Sequence, residues 1–383
     1  MPVDSVAALA AFGCDTTRVA DRRYMIPTVG PIMTDVGDYA SRYNTRGINL
    51  GNVLALDFIA NSADGNFARP VYFASTVPNR YYMNLDSYMY STGMASVVTP
   101  FYDAEVSPVV DTAYANIVER FRWGGLDCEH PEDLYLDETV RRMVSSTRSA
   151  IYSIARELAN SGDLPASQQA IQHALANGYE VPANRYDMAR NLLNLMLTKM
   201  PDTAAPLDGQ LLIYTAETFY DLYIATGKQA DLETARTLAE SGIVRFAQFT
   251  AYAAKLPATQ RTYIGYDIDF CEFLAETIGI LNRIDILNAL SKDPAQAEFL
   301  ASWAPRDSYD LHPSVSVMLY VDGTGADTLN EWLPKMSGTN ARLVQSALYT
   351  LDAASRAGFD VLKRTNDICT QYGIDRATWQ YLL

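Results

Sequence analysis

The sequence predicts an α+β protein in which a small α/β segment is followed by a mainly helical region. The stretch Gly51–Thr76 gives the first indication. It sets Val53, Leu54, Leu56, Phe58 and Ile59 at helical spacing, then the turn residues Asp64-Gly65-Asn66. The run Pro70-Val71-Tyr72-Phe73-Ala74 that follows reads as a short buried strand. A second indication is that strand signals cease beyond Asp137, where apolar residues recur at helical steps. Composition agrees: 383 residues, 49% hydrophobic and 20% charged, suffice for two or three domains or one long repeat array.

The elements follow in order. Val3–Phe12 is expected as a short helix capped by Asp4, and Tyr24-Met25-Ile26-Pro27 as an extended segment, because a residue before proline is pushed toward β. The Gly51–Ile59 helix leads to a strand at Val71–Thr76. Met94–Thr99 is a second strand stopped by Pro100. A helix over Thr112–Phe121 takes Asp111 as its cap. Residues 1–125 thus form a small α/β subdomain of unassigned strand order, closed by Arg122-Trp123-Gly124-Gly125, and 126–136 form a linker.

Residues 137–383 read as helices. Val140, Met143, Val144, Thr147, Ile151, Ile154 and Leu158 make one stripe. After Gly162, a second helix carries Ala166, Ala170, Ile171, Ala174 and Leu175 before Gly178. Counted from Gly162, Ile151, Ile154, Ala155 and Leu158 fall on large, large, small, large positions, and Ser167, Ile171 and Ala174 on small, large, small ones. This register is similar to the nested hairpin of the tetratricopeptide repeat, an α-α superhelix, although Ile151, Leu158 and Tyr179 stand where its signature residues would be. A weaker second hairpin, with Phe219, Tyr220 and Tyr223 before Gly227 and Ala235, Leu238 and Ala239 after it, has a turn that reads as too long. Further helices are expected at Asn184–Lys199, Phe270–Leu290, Ala341–Ala357 and Asp360–Tyr372, the last two ended by Gly358 and Gly373. An irregular helical bundle is the alternative.

A net charge of −15 opposes binding to nucleic-acid phosphates or an anionic bilayer. No apolar run approaches the roughly 20 residues a membrane helix needs, and Val6–Phe12 lacks a basic flank for an export signal. The scattered cysteines Cys14, Cys128, Cys271 and Cys369 read as small buried hydrophobes rather than a disulfide or zinc framework.

Chemical constellations are sparse. Asp267-Ile268-Asp269 has the spacing of a carboxylate pair for a divalent ion, but it opens a helix, where acids favour the positive end of the dipole. Cys128, Glu129, His130 and Asp133 are too close in the chain to converge on a metal. His173 reads as solvent-exposed and His312 as a loop residue. There is no nucleophile elbow, Walker A sequence or dinucleotide fingerprint, so no catalytic residue, metal or cofactor is expected. Asp-Ser/Thr-apolar triplets at Asp4, Asp111, Asp202 and Asp327 are similar to bacterial O-glycosylation acceptors but also suit helix caps. The better lead is aromatic. Tyr81, Tyr82, Tyr88 and Tyr90, with Trp123 and Arg69, are the candidate binding residues, since tyrosine offers a stacking face and a hydroxyl to half-wet peptide or sugar surfaces. Packing between subdomains is the competing role for the aromatics, and pairing with Asp57 or Asp64 the competing role for Arg69.

Several words occur in one order: the Gly51–Thr76 stretch, Tyr81–Tyr88, Thr92-Gly93-Met94-Ala95, Val98-Thr99-Pro100, Asp111–Tyr114, Phe121–Gly125, Tyr135–Glu138 and Arg142-Met143. In this order they resemble the soluble C-terminal region of a bacterial family of multi-spanning membrane proteins whose membrane half is similar to protein O-mannosyltransferases. The resemblance covers about residues 20 to 160. It implies a periplasmic fragment with tetratricopeptide-like helices and sugar-transfer chemistry confined to the membrane-spanning half of the same protein. Its expected role is a non-catalytic accessory or binding domain for a polypeptide or glycan acceptor. A helical glycan-binding lipoprotein and an α-helical glycoside hydrolase are the alternatives.

Overall fold

The computed structural model describes residues 1, 4–12, 29–45, 47–102, 107, 109–261, 270–292 and 353–375. It confirms an α+β chain and divides into two compact units, Met1–Pro206 and Leu207–Leu383. The segment 126–136, expected as a linker, lies inside the first unit. Tyr24–Pro27, Asp267–Asp269, His312, Cys14 and most of Ala341–Ala357 fall outside the described residues, as does the side chain of Cys271.

The first unit starts with α1 (Ser5–Ala11), and Asp4 caps it by accepting from Ala7 N at 3.0 Å. Helix α2 (Val36–Arg42) is capped by Asp35, whose Oδ1 accepts from Gly37 N at 2.8 Å and Asp38 N at 3.0 Å. Helix α3 (Leu50–Asp64) starts at Asn49, which accepts from Asn52 N at 2.9 Å. Its inner face is Asn52, Ile59, Ser62 and Ala63, whereas Leu50, Val53, Leu54 and Phe58 are exposed. The apolar spacing marked a helix but not its buried side. Two polar residues can face inward because each finds a partner: Asn52 Nδ2 donates to the Tyr39 hydroxyl at 3.2 Å and Ser62 Oγ to the Arg69 carbonyl at 2.9 Å. The helix leaves through Gly65, with Asn66 and Phe67 at φ of 51° and 60°, so the Asp64–Asn66 turn stands where it was expected.

Three antiparallel strands form a sheet of order β1-β3-β2, where β1 is Tyr72–Ala74, β2 Met89–Ser91 and β3 Ala95–Val98. The central strand β3 buries Val97 and Val98. The expectation of a buried strand at Pro70–Ala74 is corrected: β1 is an edge strand and Tyr72 is 54% exposed. Only one neighbour covers it, so its apolar run is half wet. Strand β2 lies in the tyrosine-rich segment, where the sequence indicated no strand. Below the sheet, Ile59, Ala63, Phe67, Met83, Leu85, Val98, Tyr39 and Tyr88 form one core.

Helix α4 (Val110–Ala115) runs into a π-helical turn at Asn116–Arg120. Asp111 does not cap it. The cap position is Val109, without a side-chain bond, and Asp111 faces Arg185 Nε at 3.5 Å. Helices α5 (Glu138–Asn160), α6 (Gln168–Asn177) and α7 (Arg185–Lys199) are capped by Asp137, Ser167 and Asn184. The expected nesting of α5 with α6 is not what forms: α5 packs chiefly along α7, and α6 on α4 and its π turn. In α5 the large-and-small alternation reported burial correctly, since Ile151, Ile154, Ala155 and Leu158 are inside. In α6 Ala174 is buried but Ser167 and Ile171 are only partly covered, and Val140, Met143 and Leu175 of the expected stripes are exposed. At the α5 exit, a Cβ on Gly162 would lie 1.9 Å from the Tyr186 ring, so glycine there makes room for the start of α7.

The second unit is helical among its described residues: α8 (Gly209–Thr226), α9 (Gln229–Ala254), α10 (Ala258–Arg261), α11 (Phe270–Leu290) and α12 (Val361–Tyr372). Helices α8 and α9 make a hairpin through Gly227-Lys228, with Gly227 at φ 69°. The turn that read as too long is therefore short, and Phe219, Tyr220, Ala235 and Ala239 are buried as that second hairpin required. Helix α9 packs along both α8 and α11, and close approach is possible because a Cβ on Gly242 would sit 2.9 Å from both Leu212 and Thr277. Gly358 and Gly373 adopt left-handed conformations at φ 65° and 64°, as their expected capping role requires.

Asp285 on α11 accepts from Arg364 of α12 and Arg236 of α9. Burial opposes its ionisation, but the bonds and charges of those two arginines outweigh it and hold its carboxyl below the usual range. A carboxyl lowered in the folded state contributes stability that is present above the unfolded carboxylate value, about 3.9. That stability is lost as the pH falls through the lowered folded value. Urea unfolding from pH 6 to 2 should show this acid loss in the native chain and a shallower one in Asp285→Asn. Identical pH slopes for the two would refute the assignment.

Candidate binding groove

An open groove of about 1320 Å³ crosses the first unit. The stretch from Gly30 into α2 forms one wall, ending in Arg42 and Tyr43, and Asn79 with Asn84–Tyr88 forms the other. Tyr102 completes the lining. Proline chemistry and two left-handed residues shape the second wall. Pro78 precedes a 3₁₀ turn at Asn79–Tyr81, then Met83 and Asn84 adopt φ of 55° and 59°, and a second 3₁₀ turn covers Asp86–Tyr88. Consecutive non-glycine residues in that region cost energy and persist only where the surroundings fix them. Here they are fixed: Thr34 Oγ1 donates to the Met83 carbonyl, 49 residues away, and Asn84 Nδ2 donates to Asp38 Oδ2 at 2.8 Å.

The Tyr88 hydroxyl binds the walls together, accepting from Met33 N at 3.3 Å and donating to the Pro31 carbonyl at 3.4 Å. Behind it, the Tyr39 hydroxyl donates to the Arg80 carbonyl at 2.7 Å. Tyr88 is buried and meets Tyr102 edge-on at 5.2 Å, while Tyr102 itself is 54% exposed. Among the charged groups, Asp35 is engaged in capping α2, and Asp38 lies 3.4 Å from Arg42. Asn84 Oδ1 is buried and has no donor, which leaves a desolvation cost of order 1–3 kcal/mol. The groove can therefore offer aromatic faces and polar, mainly acidic groups to a ligand; no cluster able to hold a metal occurs among the described residues.

Of the residues singled out by sequence, Tyr88 lines this groove. Tyr81 is exposed beneath the Arg80 guanidinium at 5.0 Å, and Tyr82 is half-buried against the edge of Phe73 at 5.5 Å. The Tyr90 hydroxyl donates to the Phe101 carbonyl at 3.4 Å. Trp123 packs edge-on against Phe121 at 4.8 Å. Arg69 is exposed and makes no ion pair with Asp57 or Asp64. Sequence reading missed Tyr102, Asp38, Arg42 and Asn84, which come together only through folding. The one usable signal was Asn84, an asparagine ahead of a turn.

Other expectations also change. His173 is not solvent-exposed but largely covered, with Nδ1 3.0 Å from Glu119 on the π turn. Cys128 is exposed rather than a buried hydrophobe, because the 122–137 segment around it is itself at the surface. His130 stands 3.5 Å from Glu132, an exposed pair rather than a metal site. Among the described residues no helix is long and apolar enough to cross a membrane.

No curated protein and no solved structure matches the chain. Residues 15–117, a stretch that contains the whole groove, are similar to the family described as TMEM260-associated domain 2.

Proposed function

We propose that this chain is a non-catalytic accessory domain of a membrane glycosyltransferase-like protein. The observation that carries this reading is the match of residues 15–117 to the TMEM260-associated domain, since TMEM260 is a protein O-mannosyltransferase. In this reading sugar transfer belongs to a membrane-spanning half of the same protein, and the chain stands on the periplasmic side of a bacterial inner membrane. The hairpin α8–α9 with α11 acts as a tetratricopeptide-like surface for a polypeptide acceptor or partner, as helical repeats commonly do. The groove and the exposed Tyr81 are the binding features of the first unit.

Incubating the chain with polyprenyl-phosphate mannose and acceptor polypeptides tests the reading. The expected result is no mannosyl transfer by the chain alone, and transfer by the membrane-spanning partner that weakens when the chain is removed. Sustained turnover by the chain alone, or a partner indifferent to its removal, would overturn the proposal.

A further inference from the structure

We infer that the groove between Gly30–Tyr43 and Asn79–Tyr88 binds a neutral oligosaccharide. The inference stands on the groove itself and does not require the membrane association. Tyr102 offers an exposed ring backed edge-on by buried Tyr88, the kind of firm aromatic surface on which the C–H face of a pyranose lies. Asp38, Arg42 and Asn84 form a bonded set of carboxylate, guanidinium and amide, which together accept and donate as sugar hydroxyls require. The walls are preorganised by the Tyr88, Thr34 and Asn84 bonds, so little ordering is demanded on binding. The volume of about 1320 Å³ exceeds the usual range for one small ligand and accommodates several sugar rings.

Charge narrows the class. The lining carries three carboxylates, Asp35, Asp38 and Asp86, against one guanidinium, Arg42. An anionic sugar or phosphate finds no surplus of positive charge there, and a cationic peptide, which the acidic lining would attract, is the competing outcome of the test below. A peptide adding as a β-strand would need a strand edge to pair with, whereas these walls are 3₁₀ turns, loop and helix α2.

The full chain should be titrated calorimetrically with neutral manno- and gluco-tetrasaccharides, a sialylated tetrasaccharide and an oligolysine peptide. We expect saturable binding of at least one neutral tetrasaccharide. Tyr102→Ala should weaken it about tenfold or more while Tyr102→Phe retains it. Asn84→Gly, which keeps the left-handed turn and deletes the amide, should weaken it about fivefold. Thermal melting identifies any variant that fails to fold, and the other variant then supplies the reading. Absence of saturable binding by both neutral sugars, equal affinity in Tyr102→Ala and Asn84→Gly, or stronger binding of the acidic sugar or the peptide would each overturn the inference.

Discussion

Replacing Arg148 with alanine is expected to destabilise the first unit by about 3–5 kcal/mol, measured as a shift in urea midpoint at unchanged slope. Arg148 sits on α5 at 1% exposure. Its Nη2 donates to the carbonyls of Met200 at 2.6 Å and Pro201 at 3.2 Å, and its Nη1 to that of Pro206 at 3.3 Å. Those carbonyls belong to the segment leaving α7, where a helix end has unpaired acceptors and where prolines at 201 and 206 remove donors that a continuing turn would supply. A guanidinium can answer several carbonyls from one planar group, which an ammonium cannot. Arg148→Lys should therefore recover no more than about half of the loss. A loss under about 1 kcal/mol in Arg148→Ala would show that this clamp is absent in solution.

The second large effect is expected in the second unit. Arg283 on α11 is buried, donates to Glu217 of α8 at 2.9 Å, and lies over the Tyr220 ring at 5.4 Å. Burial opposes its charge, yet Glu217 and Tyr220 more than compensate and keep it firmly protonated. Burial in turn pushes the Tyr220 phenol well above its ordinary value. Glu217→Ala leaves the cation buried without its counter-charge and should cost about 3–5 kcal/mol. Glu217→Leu combined with Arg283→Met removes both charges and should recover most of that loss, giving a coupling of at least about 2 kcal/mol in a double-mutant cycle. Additive single losses would mean that the two side chains do not act as a pair.

Local signals served some parts of this chain well. The Asp64–Asn66 turn, the Asp4 cap, the β3 strand and the burial of Val144, Ile151, Ile154 and Leu158 on α5 and of Phe219 and Tyr220 on α8 follow from rules acting over a few residues. The groove was not legible. Its walls are joined by the Thr34–Met83 and Asn84–Asp38 bonds, and no short-range pattern announces a contact across 49 or 46 residues. Tyr88 was singled out for its chemistry, but Tyr81, Tyr82 and Tyr90 beside it go to other neighbours because successive turns aim them differently. Asp111 shows the same limit: its composition suits a cap, and a buried arginine 74 residues away (185 − 111) takes it instead.

What the sequence by itself determined is the class of the molecule and the order of its segments: a short strand-bearing stretch, then helices, with apolar residues at the periods that each element needs. Periodicity and turn chemistry are properties of neighbouring residues, so they survive without knowledge of the fold. Tertiary structure alone decided which surfaces meet. It placed α5 against α7 rather than α6, turned Phe58 outward and Asn52 inward, and set Tyr102 beside Tyr88. The reason is that burial and hydrogen bonding are satisfied by any adequate partner, and only the closed chain selects one.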